Sequence, residues 1–306
     1  MMHTVFPQQV RIVEVGPRDG LQNESKILPS STKIELISRL VNCGISHIEA
    51  GSFVNPQRIP QLADSDAVFA EITKTKTKGL IYSALVPNVQ GMERAIASGV
   101  NEIAIFTAAS ESFSQNNINC SIAESLKRFE PVMDLARQLQ IPVRGYLSCV
   151  LGCPFEGEIT SDQVLKLAHE LLQLGCYELS FGDTIGIGTP LKAKRLVSVM
   201  LAGGIPLASI ALHFHNTYGQ ALANIYACLE LGVSIFDSAV AGLGGCPYAK
   251  KASGNVATED LLYMLDGMQI ETGIDLPKLI ETSHWISTIL GRSPASSVAT
   301  ALSSSC

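Results

Sequence analysis

The chain is poor in charge and in aromatic rings: 16% of its 306 residues are charged and 6% aromatic, with a single tryptophan. Its 22 Lys and Arg against 28 Asp and Glu leave a net charge of −6, and no stretch is rich in basic residues. That excludes nucleic acid and an anionic membrane surface as main partners. No run approaches the ~18 apolar residues of a membrane helix. The eight cysteines include no Cys-x-x-Cys pair, and the nearest spacing, Cys149 to Cys153, is poor for zinc. A chain this long needs no disulfide staples. Met1–Gln9 is a short polar lead without the charged-then-apolar pattern of secretion. The expectation is a reducing, cytoplasmic compartment; a mature mitochondrial matrix protein would read the same way. Also missing is a Gly-x-Gly-x-x-Gly after the first strand-like run, so a doubly wound dinucleotide-binding sheet lacks its signature. No linker composition divides the chain. It reads as one catalytic domain over residues 1–306, with a Ser-rich tail expected to fray from about residue 295.

What is present is an alternation. Val10–Val15 reads as a strand, and Ser31–Cys43 follows with helical spacing of Ile34, Ile37, Leu40 and Val41. Further strand-like runs are Ser46–Glu49, Leu80–Val86, Glu102–Thr107, Val143–Leu147, Tyr177–Phe181, Ile210–Phe214 and Ile235–Ala239. About eight such runs, nearly all followed by a helical pattern, predict a (β/α)8 barrel of the TIM type. Thr258–Met268 and Pro277–Leu290 read as helices beyond the last strand, the final one an appendage to the barrel. Gly44, Gly99, Gly175 and Gly232 each stand between a helix and the next strand, where a left-handed cap is wanted.

A barrel of this kind works at the C-terminal ends of its strands. The polar residues placed there are Arg18 and Asp19 after the first strand, Glu49 and Ser52 at the second, Tyr146 at the fifth and Asp183 at the sixth. His213 and His215 follow at the seventh, and Cys246 and Asn255 lie past the eighth. His213 and His215 stand at i and i+2 on a strand, so both imidazoles share the lumen face. Two imidazoles with a carboxylate from Asp19 suit a divalent cation; two ordinary hydrogen-bonded histidines are the plainer alternative. Imidazoles alone favour Zn2+, Mn2+ or Co2+, while the Asp19 carboxylate draws the set back towards harder ions. The Arg18 fork suits an oxygen that gains charge. The run Gly242-Leu243-Gly244-Gly245-Cys246-Pro247 is either a plain turn or a hinged lid with Cys246 at its edge. Cys43, Cys176 and Cys228 lie on apolar faces and read as core, and Cys306 is terminal.

Several segments together resemble the 3-hydroxy-3-methylglutaryl-CoA (HMG-CoA) lyase family. They are Val15–Glu24 (VGPRDGLQNE), Arg144–Tyr146, Gly182–Gly186 (GDTIG), His213–Gly219 (HFHNTYG), Gly242–Ala249 (GLGGCPYA) and Ala252–Asn255 with Ala257–Asp260. The likeness runs from about residue 10 to about residue 290. Arg-Asp-Gly and His-x-His are shared with isopropylmalate and homocitrate synthases, whereas GLGGCPYA is specific to the lyases. The resemblance implies a barrel that uses Mg2+ or Mn2+ to split HMG-CoA into acetyl-CoA and acetoacetate. It implies Asp19, His213, His215 and Asn255 as metal ligands, and Arg18, Cys246 and Asp183 as catalytic. Gln22, Glu49, Ser52, Tyr146 and Glu259 match substrate-lining or supporting positions. An acyl-CoA substrate and a homo-oligomer, a dimer, go with it. A Claisen-type synthase, or a lyase for a related 3-hydroxyacyl-CoA, is the alternative. Those synthases generally carry an added C-terminal region. The family often has Lys directly after Gln-Asn-Glu, to meet CoA phosphate; here Ser25 stands there and Lys26 follows.

Overall fold

The computed structural model describes residues 6–74, 77–246 and 249–303, with the backbone alone for residues 246 and 249–253. Eight parallel strands close into a barrel in chain order: β1 (Arg11–Glu14), β2 (His47–Ser52), β3 (Ile81–Leu85), β4 (Glu102–Ala108), β5 (Val143–Ser148), β6 (Glu178–Asp183), β7 (Ile210–Phe214) and β8 (Ile235–Ser238). Strand β8 pairs back onto β1, with Val13 opposite Asp237, and leaves no edge. The expected TIM-type barrel is the observed one, and every strand-like run of the sequence falls on a strand.

Helices return the chain between strands: α1 (Ser30–Asn42), α2 (Ser65–Ile72), α3 (Val89–Ala97), α4 (Glu111–Ile118) with α5 (Ile122–Gln138), α6 (Ser161–Leu174), α7 (Pro190–Ala202) and α8 (Ala221–Leu229). Their apolar faces pack on the outward residues of the strands. Ile12, Ile48, Ile103, Leu147, Phe181, Leu212, Phe214 and Phe236 are all buried there with Leu36, Leu40, Phe129, Leu171 and Ile225. Capping is local and readable: Thr160 accepts from the Gln163 amide while the Gln163 side chain accepts from Thr160, a reciprocal box that starts α6. All four predicted junction glycines have positive φ: 95° at Gly44, 77° at Gly99, 117° at Gly175 and 86° at Gly232. Gly44 is doubly required, because a β-carbon there would lie 2.4 Å from the Gly273 carbonyl oxygen.

The lumen is unlike the usual branched aliphatic filling. Arg144 on β5 reaches Asp237 on β8, and Arg11 on β1 reaches Glu178 on β6. These strands are not neighbours, so both contacts cross the interior. After β8 the chain forms a short hairpin, β9 (Gly245–Cys246) with β10 (Ala249–Ser253), where the sequence had suggested an unstructured glycine turn or lid. Helices α9 (Thr258–Gly267) and α10 (Leu276–Leu290) follow as expected. The tail expected to fray from about 295 instead forms α11 (Ser297–Ala301). Asp260 holds it by accepting from the Ser296 hydroxyl at 2.7 Å and the Val298 amide at 2.8 Å, and Ala299 is fully buried. Cys306 lies outside the described residues. Cys43, Cys176 and Cys228 are buried, as read from their apolar faces. No helix among the described residues is long and apolar enough to cross a membrane.

Candidate active site

A π-helical turn, Gly16–Gly20, follows β1 and carries Arg18 and Asp19 into the barrel mouth. Single π-turns of this kind are uncommon and recur at functional sites. Arg18 is nearly buried, and each of its three nitrogens makes a contact. Nε and one terminal nitrogen donate to Glu49 Oε2 at 2.6 Å, and the other donates to Asp19 Oδ1 at 2.7 Å. Its guanidinium lies 5.5 Å from the Tyr146 ring centre. Burial disfavours the Arg18 charge, but Glu49 and Asp19 outweigh it and raise its pKa further. Burial likewise opposes ionisation of Asp19, yet Arg18 and the two histidines hold its carboxyl at about 2. At Glu49 burial wins over Arg18, and its pKa is raised.

Asp19, His213 and His215 each offer a ligand atom, and these atoms lie within 4.8 Å of one another. The two histidines are oriented differently. His213 Nδ1 sits 3.3 Å from Asp237 Oδ2, and that carboxylate is itself fixed by Arg144 at 2.6 Å and the Ser180 hydroxyl at 2.6 Å. Burial works against a charged His213, but the Asp237 bond prevails and its pKa is raised. Burial beside His213 lowers His215 to about 4. Asn255 pairs with His215 through an isolated backbone bridge. Its amide nitrogen donates to Asp19 Oδ2 at 2.9 Å and to the Leu243 carbonyl at 3.1 Å. Among the described residues, His215 Nδ1 and Asn255 Oδ1 are buried without a hydrogen-bond partner. Two imidazoles, a carboxylate and a carbonyl oxygen, two of them with orphaned acceptors, fit a divalent cation. Arg144 and Asp237, which orient His213 from below, carried no role in the sequence reading. Arg144 stood in a segment that resembles the lyases, but nothing in the sequence tied it to Asp237.

The remaining predicted residues divide. Tyr146 faces the lumen and accepts from Arg144 at 3.0 Å; beside it Leu85, Ala104, Phe106 and Val54 form an apolar wall. Ser52 is buried at the end of β2 and donates to the Leu85 carbonyl at 3.3 Å. Gln22 is half-buried, and among the described residues its side chain makes no hydrogen bond to the others. Asp183 is turned into its own loop, where Oδ2 accepts from the Gly188 amide at 2.9 Å. Its Oδ1 is buried and unpartnered among the described residues, and burial lifts its pKa to about 6. Glu259 lies behind the mouth, accepting from the Ala241 amide at 2.8 Å, and burial pushes it up to about 8. The Cys246 side chain is outside the described residues; its backbone is in β9. Lys26 is bonded to the Ile289 carbonyl at the end of α10.

A closed parallel barrel with an acid, two histidines and a buried arginine in its C-terminal mouth defines a β/α-barrel enzyme with a candidate divalent-metal site. The chain belongs to the HMGL-like family, whose model matches residues 9–286. It is 55% identical to the 3-hydroxy-3-isohexenylglutaryl-CoA/hydroxymethylglutaryl-CoA lyase of Pseudomonas aeruginosa, over 97% of this chain and 98% of that one. It is 53% identical to the mitochondrial hydroxymethylglutaryl-CoA lyase of Gallus gallus, over 97% and 98%. The crystal structure of hydroxymethylglutaryl-CoA lyase from Pseudomonas aeruginosa superposes with a TM-score of 0.94 at 54% identity, covering 97% of this chain and 98% of that one.

Proposed function

We propose that this chain is a carbon–carbon lyase that splits HMG-CoA into acetyl-CoA and acetoacetate with the help of Mg2+ or Mn2+. The observation that carries the reading is one mouth holding Asp19, His213, His215 and Asn255 beside an Arg18 fixed by Glu49 and Asp19, in a chain so close to named lyases. Those four residues would hold the cation, which when bound lowers the pKa of the substrate hydroxyl and fixes the substrate.

The protein's own groups supply the rest. The C3 hydroxyl must lose its proton as the C2–C3 bond breaks, and we assign that base to Asp183, whose Oδ1 is unpartnered. The bonding electrons pass to the thioester as an enolate. Arg18, held by Glu49 and Asp19 and backed by Tyr146, presents a fixed cation to the oxygen that gains this charge. The enolate carbon then takes up a proton, and Cys246 on the hairpin is the residue assigned to that transfer. The carbinol carbon is left as the ketone of acetoacetate, so atoms and charge balance. Ser52, Gln22 and the Tyr146 wall would line the acyl group, and Glu259 supports the turn below the hairpin. With Lys26 engaged at α10, the CoA phosphate contact of the family is not assigned to it. We further read one domain, a homodimer, and a reducing compartment, cytoplasm or matrix.

The test is direct. Purified protein with Mg2+ and HMG-CoA should release equimolar acetyl-CoA and acetoacetate. No cleavage, with condensation of acetyl-CoA onto a 2-oxo acid instead, would move the chain to the synthases.

A further inference from the structure

Glu14 closes β1 on the face opposite to the lumen. Arg11 of the same strand crosses the interior to Glu178, so the strand alternation turns Glu14 outward, beneath the last turns of the chain. It is fully buried, and its carboxylate makes three bonds to three separate segments. Oε1 accepts from the Gly16 amide at 2.8 Å and from the Val240 amide at 2.9 Å; Oε2 accepts from the Thr258 hydroxyl at 2.7 Å. Each segment delivers part of the mouth. Gly16 opens the π-helical turn that presents Arg18 and Asp19. Val240 opens the turn that runs through Leu243, whose carbonyl holds Asn255, into the hairpin with Cys246. Thr258 begins α9 just after Asn255.

The fit around this carboxylate is tight. A β-carbon on Gly16 would lie 2.5 Å from Glu14 Oε1 and 3.2 Å from the Val240 side chain. A β-carbon on Gly20 would lie 2.7 Å from Leu243 Cβ, so the Arg18–Asp19 turn packs directly on the hairpin root. The root itself is strained: Ala241 has φ of 60°, a left-handed conformation that costs a residue with a β-carbon. Strain of that kind persists only where neighbours over-determine it. Here two buried carboxylates hold consecutive amides, Glu14 at Val240 and Glu259 at Ala241.

We propose that Glu14 is a positioning residue for the reaction: its carboxylate sets the Arg18–Asp19 turn, the hairpin root and the Asn255 segment in register with one another. The proposal rests on the lyase reading of the same mouth. Glu14 touches none of the candidate ligands, so it acts through the backbone it holds.

Glu14→Gln keeps size and one acceptor oxygen but puts an amide NH2 where Oε2 accepts from Thr258. With Mn2+-loaded protein, kcat on HMG-CoA should fall about 10- to 100-fold, the loss expected when reacting groups are slightly misplaced. KM should change by no more than about threefold. Backbone amide exchange should quicken at residues 16–20 and 240–246 and stay as in wild type across β4 to β6. A folded variant with kcat within about twofold of wild type overturns the proposal. So does exchange that quickens uniformly, with activity lost only in proportion to unfolded protein. If Glu14→Gln fails to fold, Thr258→Val removes one of the three donors; a smaller loss of kcat with the same local exchange supports the idea, and no change in either overturns it. Wild-type protein that leaves HMG-CoA intact would defeat the lyase reading instead, while the exchange measurement would still report on Glu14.

Discussion

Arg144 and Arg18 are both buried in the lumen, yet their surroundings differ. Arg144, deeper down, donates to Glu178, Tyr146 and Asp237, and each of those acids has both oxygens occupied, by Arg11 on Glu178 and by Ser180 and His213 on Asp237. Around Arg18, at the mouth, acceptors are left over: Glu49 Oε1, His215 Nδ1 and Asn255 Oδ1 are buried without partners among the described residues. A buried polar atom left unpaired costs roughly 1–3 kcal/mol. The acids bonded to Arg144 are therefore satisfied, a charged network that replaces aliphatic filling, although Glu102 Oε1 at the foot of the barrel is buried without a partner among the described residues. The mouth instead gathers several unpartnered acceptors around one cation, the arrangement on which the proposed metal site rests. His213 joins the two layers, with Nδ1 on Asp237 and its ring beside Asp19 and His215 in the mouth.

If this division is right, substitutions in the two layers should fail differently. The largest functional effect should come from Arg18→Gln. Loss of a donor at a developing oxyanion slows turnover by about 100- to 1,000-fold. The melting temperature should fall less than in the deep-layer variant below, because Gln still donates and Glu49, its pKa raised by burial, can take up a proton. Arg18→Lys, which keeps the charge without the planar fork, should recover only part of the rate. A variant that melts early and loses activity only in step with folding would assign Arg18 to the structural layer. In the deep layer, Arg144→Met strips one buried oxygen each of Glu178 and Asp237 of its partner, leaving Arg11 and His213 as their remaining charge partners. Denaturant titration should show a loss of about 3–5 kcal/mol. Unchanged stability there would erase the distinction between the layers.

Two smaller effects sharpen it. Asp237→Asn removes the carboxylate that orients His213, and Mn2+ titration should show about 10- to 100-fold weaker binding. Unaltered Mn2+ affinity would mean that His213 needs no support from below. The pH profile addresses Asp183, whose folded-state pKa is raised by burial to about 6. A base must be ionised, so the rate should decline as pH falls through about 6, where the raised pKa brings proton uptake. Asp183→Asn should lack that acid limb, leaving a lower, flat rate; a limb that survives belongs to another group.

The mouth was legible in sequence because its residues stand at strand ends, and because His213 and His215 share one strand face at i and i+2. The strands were legible as apolar runs, and α1 as a clear helical stripe. The deep layer was not, since Arg144 and Asp237 are 93 residues apart and only barrel closure joins them. A lone arginine in a strand gives no hint of which side it faces. Glu14 escaped notice for the opposite reason: it faces away from the lumen, where a site search does not look. The hairpin β9–β10 was hidden by glycines that read as a turn, and α11 by serines that read as a tail. Ser296 is in fact its cap, accepting from the Ala299 amide at 3.0 Å.

The most direct test of the proposed metal site is the melting of wild type and His215→Ala, each without metal and with saturating Mn2+. Removing an orphaned buried nitrogen should leave the metal-free variant as stable as metal-free wild type, or slightly more so. Wild type should then gain about 2.7 kcal/mol at a Mn2+ concentration 100 times its Kd, and the variant at that concentration far less. A metal-free variant that melts well below wild type, with an undiminished gain from Mn2+, would show that His215 belongs to the packing of the barrel and not to a metal site.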